Sequence, residues 1–283
     1  MWPNIVLSGG GLAAIMYFGC LKYISENVDM KRHMKNILGV SSGSIFALLL
    51  IFNCDLDDCK KWLDEVKNIN FNKINLRSLA CLKNEYGLDD SEGIKCAVRQ
   101  LFDMKGVNHD INFRQISQTY GKNLVICSAN VSKKKLFYFS VDTTPDIPII
   151  EAIKASTSIP LLFTPYKLND EYHVDAFVYD NFPIHYFQNS EQTIGLNLTT
   201  EACQNNNCMN LFTNIFNSII YYNSVKKTDN ECLLIGRGSG FDLKKMRFAI
   251  DDDSVDEQIE YGYTTLKDFV NFKISQRSEE CRL

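Results

Sequence analysis

The chain has 283 residues, of which 45% are hydrophobic and 23% charged, a balance typical of one large globular domain or two small ones. Its formal net charge of -4 gives no general electrostatic attraction to nucleic acid, so no nucleic-acid partner is expected. No apolar run is long enough to span a bilayer, and the first residues lack the basic start and cleavage site of a secretory signal. A cytoplasmic location is therefore expected.

Strand-like and helix-like runs alternate along the chain. The strand-like runs fall at residues 4–7, 37–40, 124–130, 136–141, 193–198 and 233–235. The helix-like runs fall at residues 13–25, 44–52, 57–66, 90–102, 149–155, 209–224 and 256–272. This alternation predicts a three-layer α/β/α fold around a central, mainly parallel sheet. No linker divides the chain, so we expect a single domain over residues 1–283, with residues 55–112 as a helical cap or insertion.

Ten cysteines are scattered along these elements. None has the C-x-x-C spacing of a zinc site, and no paired histidines follow them, so no metal is expected. Without an export signal the thiols are expected to be reduced. Cys20 and Cys127 lie in apolar segments and are interpreted as small core residues.

The first strand runs directly into three glycines, Gly9, Gly10 and Gly11. With Ala14 they fit G-x-G-x-x-A, the pattern that binds dinucleotides between a strand and a helix. That pattern also requires a carboxylate at the end of the next strand, to hold the ribose. Ser41 stands there instead, so the nucleotide hypothesis is disfavoured.

The second strand ends in Gly39-Val40-Ser41-Ser42-Gly43, which fits G-x-S-x-G. This motif makes a sharp turn between a strand and a helix, with the central serine exposed at its tip. The glycines flank Ser41 and not Ser42, so Ser41 is the candidate nucleophile. Ser44 is interpreted as a cap of the following helix.

The neighbouring glycine turn then acquires a chemical role. A serine that attacks a carbonyl needs hydrogen-bond donors for the oxyanion, and each donor contributes about 3–4 kcal/mol. Gly9, Gly10 and Gly11 end the adjacent strand and open a helix. We therefore expect their backbone N–H groups to form an oxyanion hole over Ser41.

The base that activates Ser41 is less obvious. Of the four histidines, His33 precedes the serine's strand and His109 lies in a polar loop. Ser41 follows only the second strand, which does not fit the ordinary α/β-hydrolase order of serine, acid and histidine. A carboxylate is therefore the candidate base.

Two further blocks identify that carboxylate. Residues 174–183 read VDAFVYDNFP, with the form D-x-x-x-x-x-N-x-P, and residues 155–165 read ASTSIPLLFTP. Together with the glycine turn and G-x-S-x-G, in this order, they resemble the patatin-like phospholipase family. The resemblance implies a patatin-like fold in which Ser41 and Asp175 form a Ser-Asp dyad and Gly9, Gly10 and Gly11 form the oxyanion loop.

The sequence departs from the family pattern at two places. Alanines at positions 13 and 14 replace a basic residue and a glycine, so a positive charge near a lipid phosphate is lost. Ala176 and Phe177 stand where the family has glycine after the aspartate, which would be strained if that turn needs a positive φ. Asp180 and His185, in the same region, stay open as weaker alternative bases.

The resemblance implies a lipid acyl hydrolase of the phospholipase A type that works through an acyl-enzyme. A dyad needs no metal or other cofactor, so calcium should be dispensable. A lysophospholipase, a neutral-lipid lipase, an acyltransferase and a non-catalytic lipid-binding relative stay open. The expected partners are a lipid ester and, transiently, a membrane surface, contacted through residues 160–163 or 209–222.

Overall fold

A computed structural model describes residues 2–67, 69, 82–200, 218–219, 222–223, 228–236 and 252–280. Almost all of the helix predicted at residues 209–224 lies outside this part of the chain. The strands of the described part are β1 (Asn4–Leu7), β2 (Asn36–Val40), β3 (Gly87–Asp89), β4 (Asn123–Asn130), β5 (Lys135–Phe139), β6 (Leu161–Phe163), β7 (Tyr166–Leu168), β8 (Glu171–Asp175), β9 (Thr193–Thr200) and β10 (Glu231–Gly236).

The α-helices of the described part follow in the same way. They are α1 (Met16–Glu26), α2 (Val28–His33), α3 (Ser42–Ile51), α4 (Leu56–Lys67), α5 (Glu92–Lys105), α6 (Phe113–Tyr120), α7 (Ile149–Thr157) and α8 (Asp252–Glu280). The helix predicted from residue 13 begins as a 3-10 helix, Gly11–Ile15, that continues into α1. Strands β3, β6, β7 and β8 and helices α2 and α6 are additional to the predicted elements.

One central sheet carries most of these strands. Its order is β10-β9-β1-β2-β4, all parallel, and the antiparallel strands β5, β8 and β7 extend it beyond β4. A separate two-stranded sheet pairs β3 with β6. The predicted α/β class with a mainly parallel central sheet is confirmed.

Apolar side chains on the two faces of the sheet form separate cores. Ile5, Leu7 and Ile37 face the larger core, which the helices complete. Val6 and Leu38 face the opposite side, where the segment after β8 covers them. Within residues 55–112, Trp62 of α4 and Phe102 of α5 belong to the larger core. That residues 55–112 are a cap or insertion on a single domain stays a prediction.

The sheet has one unusual junction, at β4. Strand β5 pairs with residues 126–130 of β4, whereas β2 pairs with residues 123–127 and β8 with residues 128–130. A strand has only two hydrogen-bonding edges, so β2 and β8 must share the edge opposite β5. Val40 pairs with Cys127, and Asp175 pairs with Ser128. Cys127 and Ser128 are neighbours on β4, about 3.3 Å apart along the strand. The carboxyl ends of β2 and β8 therefore meet.

Candidate active site

Ser41 occupies the sharp turn between β2 and α3. Its backbone has φ 52° and ψ -127°, a conformation that is strained for any residue with a side chain. A side chain at position 43 would lie 2.5 Å from the Ser8 carbonyl oxygen, so only glycine lets α3 start this close to β1. The structure thus gives Ser41 the exposed-tip geometry that the G-x-S-x-G motif predicts.

The strained turn is held by two other serines. The Ser41 N–H donates to Ser156 Oγ at 2.8 Å, and the Ser156 hydroxyl donates to the Cys127 carbonyl at 2.6 Å. Ser44 Oγ donates to the Ser41 carbonyl at 2.5 Å. The interpretation of Ser44 as a helix cap is wrong, because its side chain donates from inside α3 and the N-cap position is Ser41 itself.

Asp175 lies at the end of β8 and faces this turn. Its side chain is 1% exposed. The carboxylate accepts the Phe177 N–H at 3.1 Å, and the Ser41 side chain is close enough to it to lower its pKa. Burial raises the pKa of Asp175 from 3.8 to about 7, although the interactions with Ser41 and the Phe177 N–H lower it. The carboxylate is thus a stronger base than an exposed aspartate.

The turn after Asp175 does not carry the strain expected of Ala176 and Phe177. Residues Ala176–Val178 form a 3-10 helix, and Asp175 caps it through the Phe177 N–H. Neither Ala176 nor Phe177 is among the residues with positive φ. Glycine is therefore not required here, and the turn that follows Asp175 is compatible with the residues present.

The glycine turn packs against Ser41. A side chain at position 9 would lie 2.9 Å from Ser41 Cβ and 2.6 Å from Asn181 Oδ1, so the backbone of Gly9 touches both residues. Buried Asn181 donates from Nδ2 to the Gly9 carbonyl at 2.9 Å and thereby orients this turn. The Gly10 N–H donates to Ser42 Oγ at 3.1 Å. Gly11, at φ 54°, is exposed and faces open space.

The other candidate bases lie in different surroundings. Asp180 is partly exposed, and its Oδ1 accepts the Phe182 N–H at 2.8 Å. His185 is exposed, as is His33, whose Nδ1 lies 2.7 Å from the Asp29 carbonyl. The Nε2 of His109 lies 2.8 Å from Asp103 Oδ1. None of these contacts involves Ser41.

His173 is the one histidine near the site. It is fully buried two residues before Asp175, and Nδ1 lies 2.9 Å from Ser128 Oγ. Its ring packs against the aromatic rings of Phe137 and Phe139, and burial lowers its pKa. The contacts of this histidine are therefore with β4, β5 and β7.

Three site residues acquire contacts that their sequence patterns did not predict. Ser156 supports the backbone of Ser41, Asn181 supports Gly9, and Ser42 contacts Gly10. Ser156 and Asn181 do stand inside the two blocks that resemble the family, which is the only signal that marks them. Their contacts join positions more than 100 residues apart, and no local pattern encodes such a pairing.

A hydroxyl paired with a buried carboxylate beside a turn of backbone N–H groups is suited to acyl transfer. The comparisons with known proteins agree with this class. A family model described as patatin-like phospholipase matches residues 5–187. The chain therefore belongs to the patatin-like phospholipase family, as its motifs predicted.

Two viral proteins are similar in sequence. The "Probable lipid hydrolase 463L" of Invertebrate iridescent virus 6 is 31% identical over 185 residues, which cover 65% of this chain and 62% of that protein. The match thus spans less than two thirds of that relative. The "Uncharacterized protein R571" of Acanthamoeba polyphaga mimivirus is 25% identical over 277 residues, which cover 93% of this chain and 92% of that protein.

The fold is similar to that of VipD from Legionella pneumophila. The TM-score is 0.63 at 15% sequence identity, and the match covers 95% of this chain and 67% of VipD. At this identity the likeness concerns the fold alone. Within the described part of the chain, no helix combines the length and apolar character needed to cross a membrane.

Proposed function

We propose that the protein is a lipid acyl hydrolase of the phospholipase A type that uses a Ser41–Asp175 dyad. The observation that carries the proposal is the interaction of the Ser41 side chain with a buried carboxylate whose pKa is raised to about 7. Membership of the patatin-like phospholipase family supports a lipid ester as the substrate.

In the first step Ser41 Oγ attacks the carbonyl carbon of the ester, and its proton moves to Asp175. A carboxylate with a pKa of about 7 is a suitable acceptor, because general-base catalysis is most effective when the pKa lies near the working pH. The strained backbone at Ser41 keeps the hydroxyl at the tip of its turn.

The negative charge that develops on the carbonyl oxygen needs nearby donors. The turn of Gly9, Gly10 and Gly11 packs against Ser41, and α3 begins directly after it. Backbone N–H groups of this turn and the positive end of the helix dipole would stabilise the oxyanion. Gly10 would have to exchange its bond to Ser42 Oγ for one to the substrate.

Collapse of this intermediate breaks the ester bond. The leaving alcohol takes the proton from Asp175, and the acyl group stays on Ser41 as an ester. Water then attacks the acyl-enzyme, with Asp175 again as the base, and releases the fatty acid. Every proton and charge is handled by the chain's own residues, so we propose that turnover needs neither calcium nor another cofactor.

We also propose that the enzyme is cytoplasmic and meets its substrate at a membrane surface. The six described cysteines Cys20, Cys54, Cys59, Cys96, Cys127 and Cys232 are free thiols, which fits a reducing compartment. Leu161, in the segment expected to contact lipid, is 51% exposed, whereas its neighbour Leu162 is buried. An exposed leucine beside the site supports contact with an apolar phase.

The test is the identification of products by lipid mass spectrometry, with wild type and Ser41→Ala and with a chelator present. Fatty acid and lysophospholipid released by wild type alone would support the proposal. Release from lysophospholipids or neutral lipids alone would identify one of the alternative hydrolases, and transfer to a second lipid would identify an acyltransferase. Lipid binding without any product, or equal turnover by Ser41→Ala, would refute it.

A further inference from the structure

The edge of the sheet that carries Ser41 also carries a group of exposed apolar and basic side chains. We propose that these side chains form a docking surface for anionic phospholipid membranes. The docking surface consists of Tyr86, Val131, Lys134, Lys135 and Leu161. This inference rests on the proposed function, because it names the lipid interface that would deliver substrate to the same site.

The apolar part of the surface is exposed. Tyr86 is 57% exposed, Leu161 51% and Val131 38%. Leu161 has φ 68° and Tyr86 has φ 64°, a region that side-chain-bearing residues rarely adopt. Two large apolar residues are thus held in a costly conformation and still face solvent. Water alone gives no reason for such an arrangement, whereas an apolar phase would cover both side chains.

The three apolar residues are linked to one another. Gly87, directly after Tyr86, pairs with Leu161 between β3 and β6. The Tyr86 ring contacts the Tyr172 ring, with 5.9 Å between centroids. The Tyr172 carbonyl in turn accepts the Val131 N–H at 3.0 Å. These contacts form one continuous path from β6 to the hairpin between β4 and β5.

That hairpin supplies the charge. It carries the consecutive lysines Lys133, Lys134 and Lys135, all of them exposed. Lys133 is neutralised by an ion pair with Glu171. Lys134 and Lys135 form no ion pair with the described residues. Two uncompensated positive charges therefore lie beside the apolar residues, in a chain whose net charge is -4.

The docking surface lies at the same edge of the sheet as the candidate active site. Val131 is three residues beyond Ser128, the partner of Asp175, or about 10 Å further along the strand direction. Leu161 is three residues beyond Ser158, whose carbonyl accepts the Asp175 N–H at 2.9 Å. A membrane that covers this surface would therefore face the edge of the sheet at which Ser41 lies.

The partner follows from this chemistry. Each basic residue near an anionic membrane contributes about 1 kcal/mol of attraction, and exposed apolar side chains add affinity by entering the acyl boundary. A neutral surface would leave Lys134 and Lys135 without a function. Phosphate-bearing anionic headgroups above an apolar interior match both halves of the surface.

The experiment measures sedimentation with phosphatidylcholine vesicles, with or without phosphatidylserine, in the Ser41→Ala background so that no lipid is consumed. Lys134→Gln combined with Lys135→Gln should weaken binding to anionic vesicles about 30-fold and leave binding to neutral vesicles unchanged. The matched control is Lys31→Gln combined with Lys35→Gln, which removes the same charge at the opposite end of β2 and should have little effect.

Leu161→Asn tests the apolar part, since asparagine tolerates positive φ. It should weaken binding to both kinds of vesicle about tenfold, unlike Phe272→Asn on α8, which removes a comparably exposed side chain. Equal losses from both lysine pairs, or no preference for anionic vesicles, would overturn the inference. So would a dimer in solution that Leu161→Asn dissociates, because a second copy would then be the occupant.

Hydrolysis of soluble p-nitrophenyl butyrate separates the two proposals. The Lys134/Lys135 variant, with Ser41 intact, should hydrolyse this ester at the wild-type rate. If wild type hydrolyses no ester but the vesicle results hold, the proposed function fails and the surface is still a lipid-binding one. If the ester is hydrolysed but the vesicle results do not hold, only the docking surface is wrong.

Discussion

Asp175 and Asp180 lie five residues apart, yet folding gives them different surroundings. Asp175 ends a strand, is 1% exposed and interacts with the Ser41 side chain. Asp180 lies in the following turn, is partly exposed and accepts a backbone N–H from Phe182. The same side chain is thus buried beside Ser41 in one place and holds a turn in the other, and only the first place suits the proton transfer that we propose. Burial and the partner atom, rather than residue type, decide the role.

The largest expected effect is on turnover. Asp175→Asn keeps the shape of the side chain but removes the base, so kcat should fall by about two to four orders of magnitude. Asp180→Asn should lower kcat by less than about tenfold, because an amide oxygen can still accept the Phe182 N–H. The measurement is steady-state hydrolysis of a soluble ester by both variants.

Circular dichroism must show that each variant is folded. The comparison also includes His173→Ala and His185→Ala, which should lose far less activity than Asp175→Asn. If Asp180→Asn or His185→Ala is as damaging as Asp175→Asn, the dyad is wrong and a catalytic triad should be sought.

The second effect is on stability and follows from the pKa of Asp175. Its folded value of about 7 exceeds the unfolded value of about 3.9, so the folded state binds the proton more tightly. This tighter proton binding stabilises the folded state fully below about pH 4, and the stabilisation is lost as the pH rises to about 7. Asp175→Asn does not titrate, so relative to wild type it should gain about 4 kcal/mol across this range.

Denaturant unfolding of both proteins at several pH values measures this gain. If the free energies of unfolding of wild type and Asp175→Asn differ by the same amount at pH 5 and pH 8, the pKa of Asp175 is not raised in the folded protein.

The smallest expected effect is a difference in kcat between variants of two buried serines at the end of α7. Ser156→Ala removes the acceptor of the Ser41 N–H, so the strained turn loses a support, and kcat should fall about tenfold with little change in KM. Ser158→Ala is the matched control, because its hydroxyl donates only to the Lys154 and Thr164 carbonyls. Equal kcat values for the two variants would mean that Ser156 only stabilises the fold.

Much of this site was predictable because it depends on local geometry. The apolar runs before Gly9 and Ser41 predicted β1 and β2, and the glycine spacing selected Ser41 over Ser42. The turn at Ser41 requires glycine for a reason that acts within a few residues, because a side chain at position 39 would lie 2.4 Å from Ser44 Cα. Asp175 was identified only through the resemblance to a family.

The rest depends on long-range pairing. β8 reads EYHVD, which has little apolar alternation, so no strand was predicted there. Its position next to β2 follows from the pairing of Ser128 with Asp175. The three-residue strands β3 and β6 are likewise too short to leave a pattern. Both short strands matter for the proposed docking surface, because they place Tyr86 beside Leu161.

The most direct test of the dyad is the rate at which a fluorophosphonate probe labels Ser41, measured as a function of pH in wild type and Asp175→Asn. In wild type, the labelling rate of the peptide that contains Ser41 should rise with pH and level off above about pH 7, where Asp175 has lost its proton. In Asp175→Asn, labelling should be slow and lack this titration. Retention of the same titration in Asp175→Asn would contradict the account, because another group would then be the base.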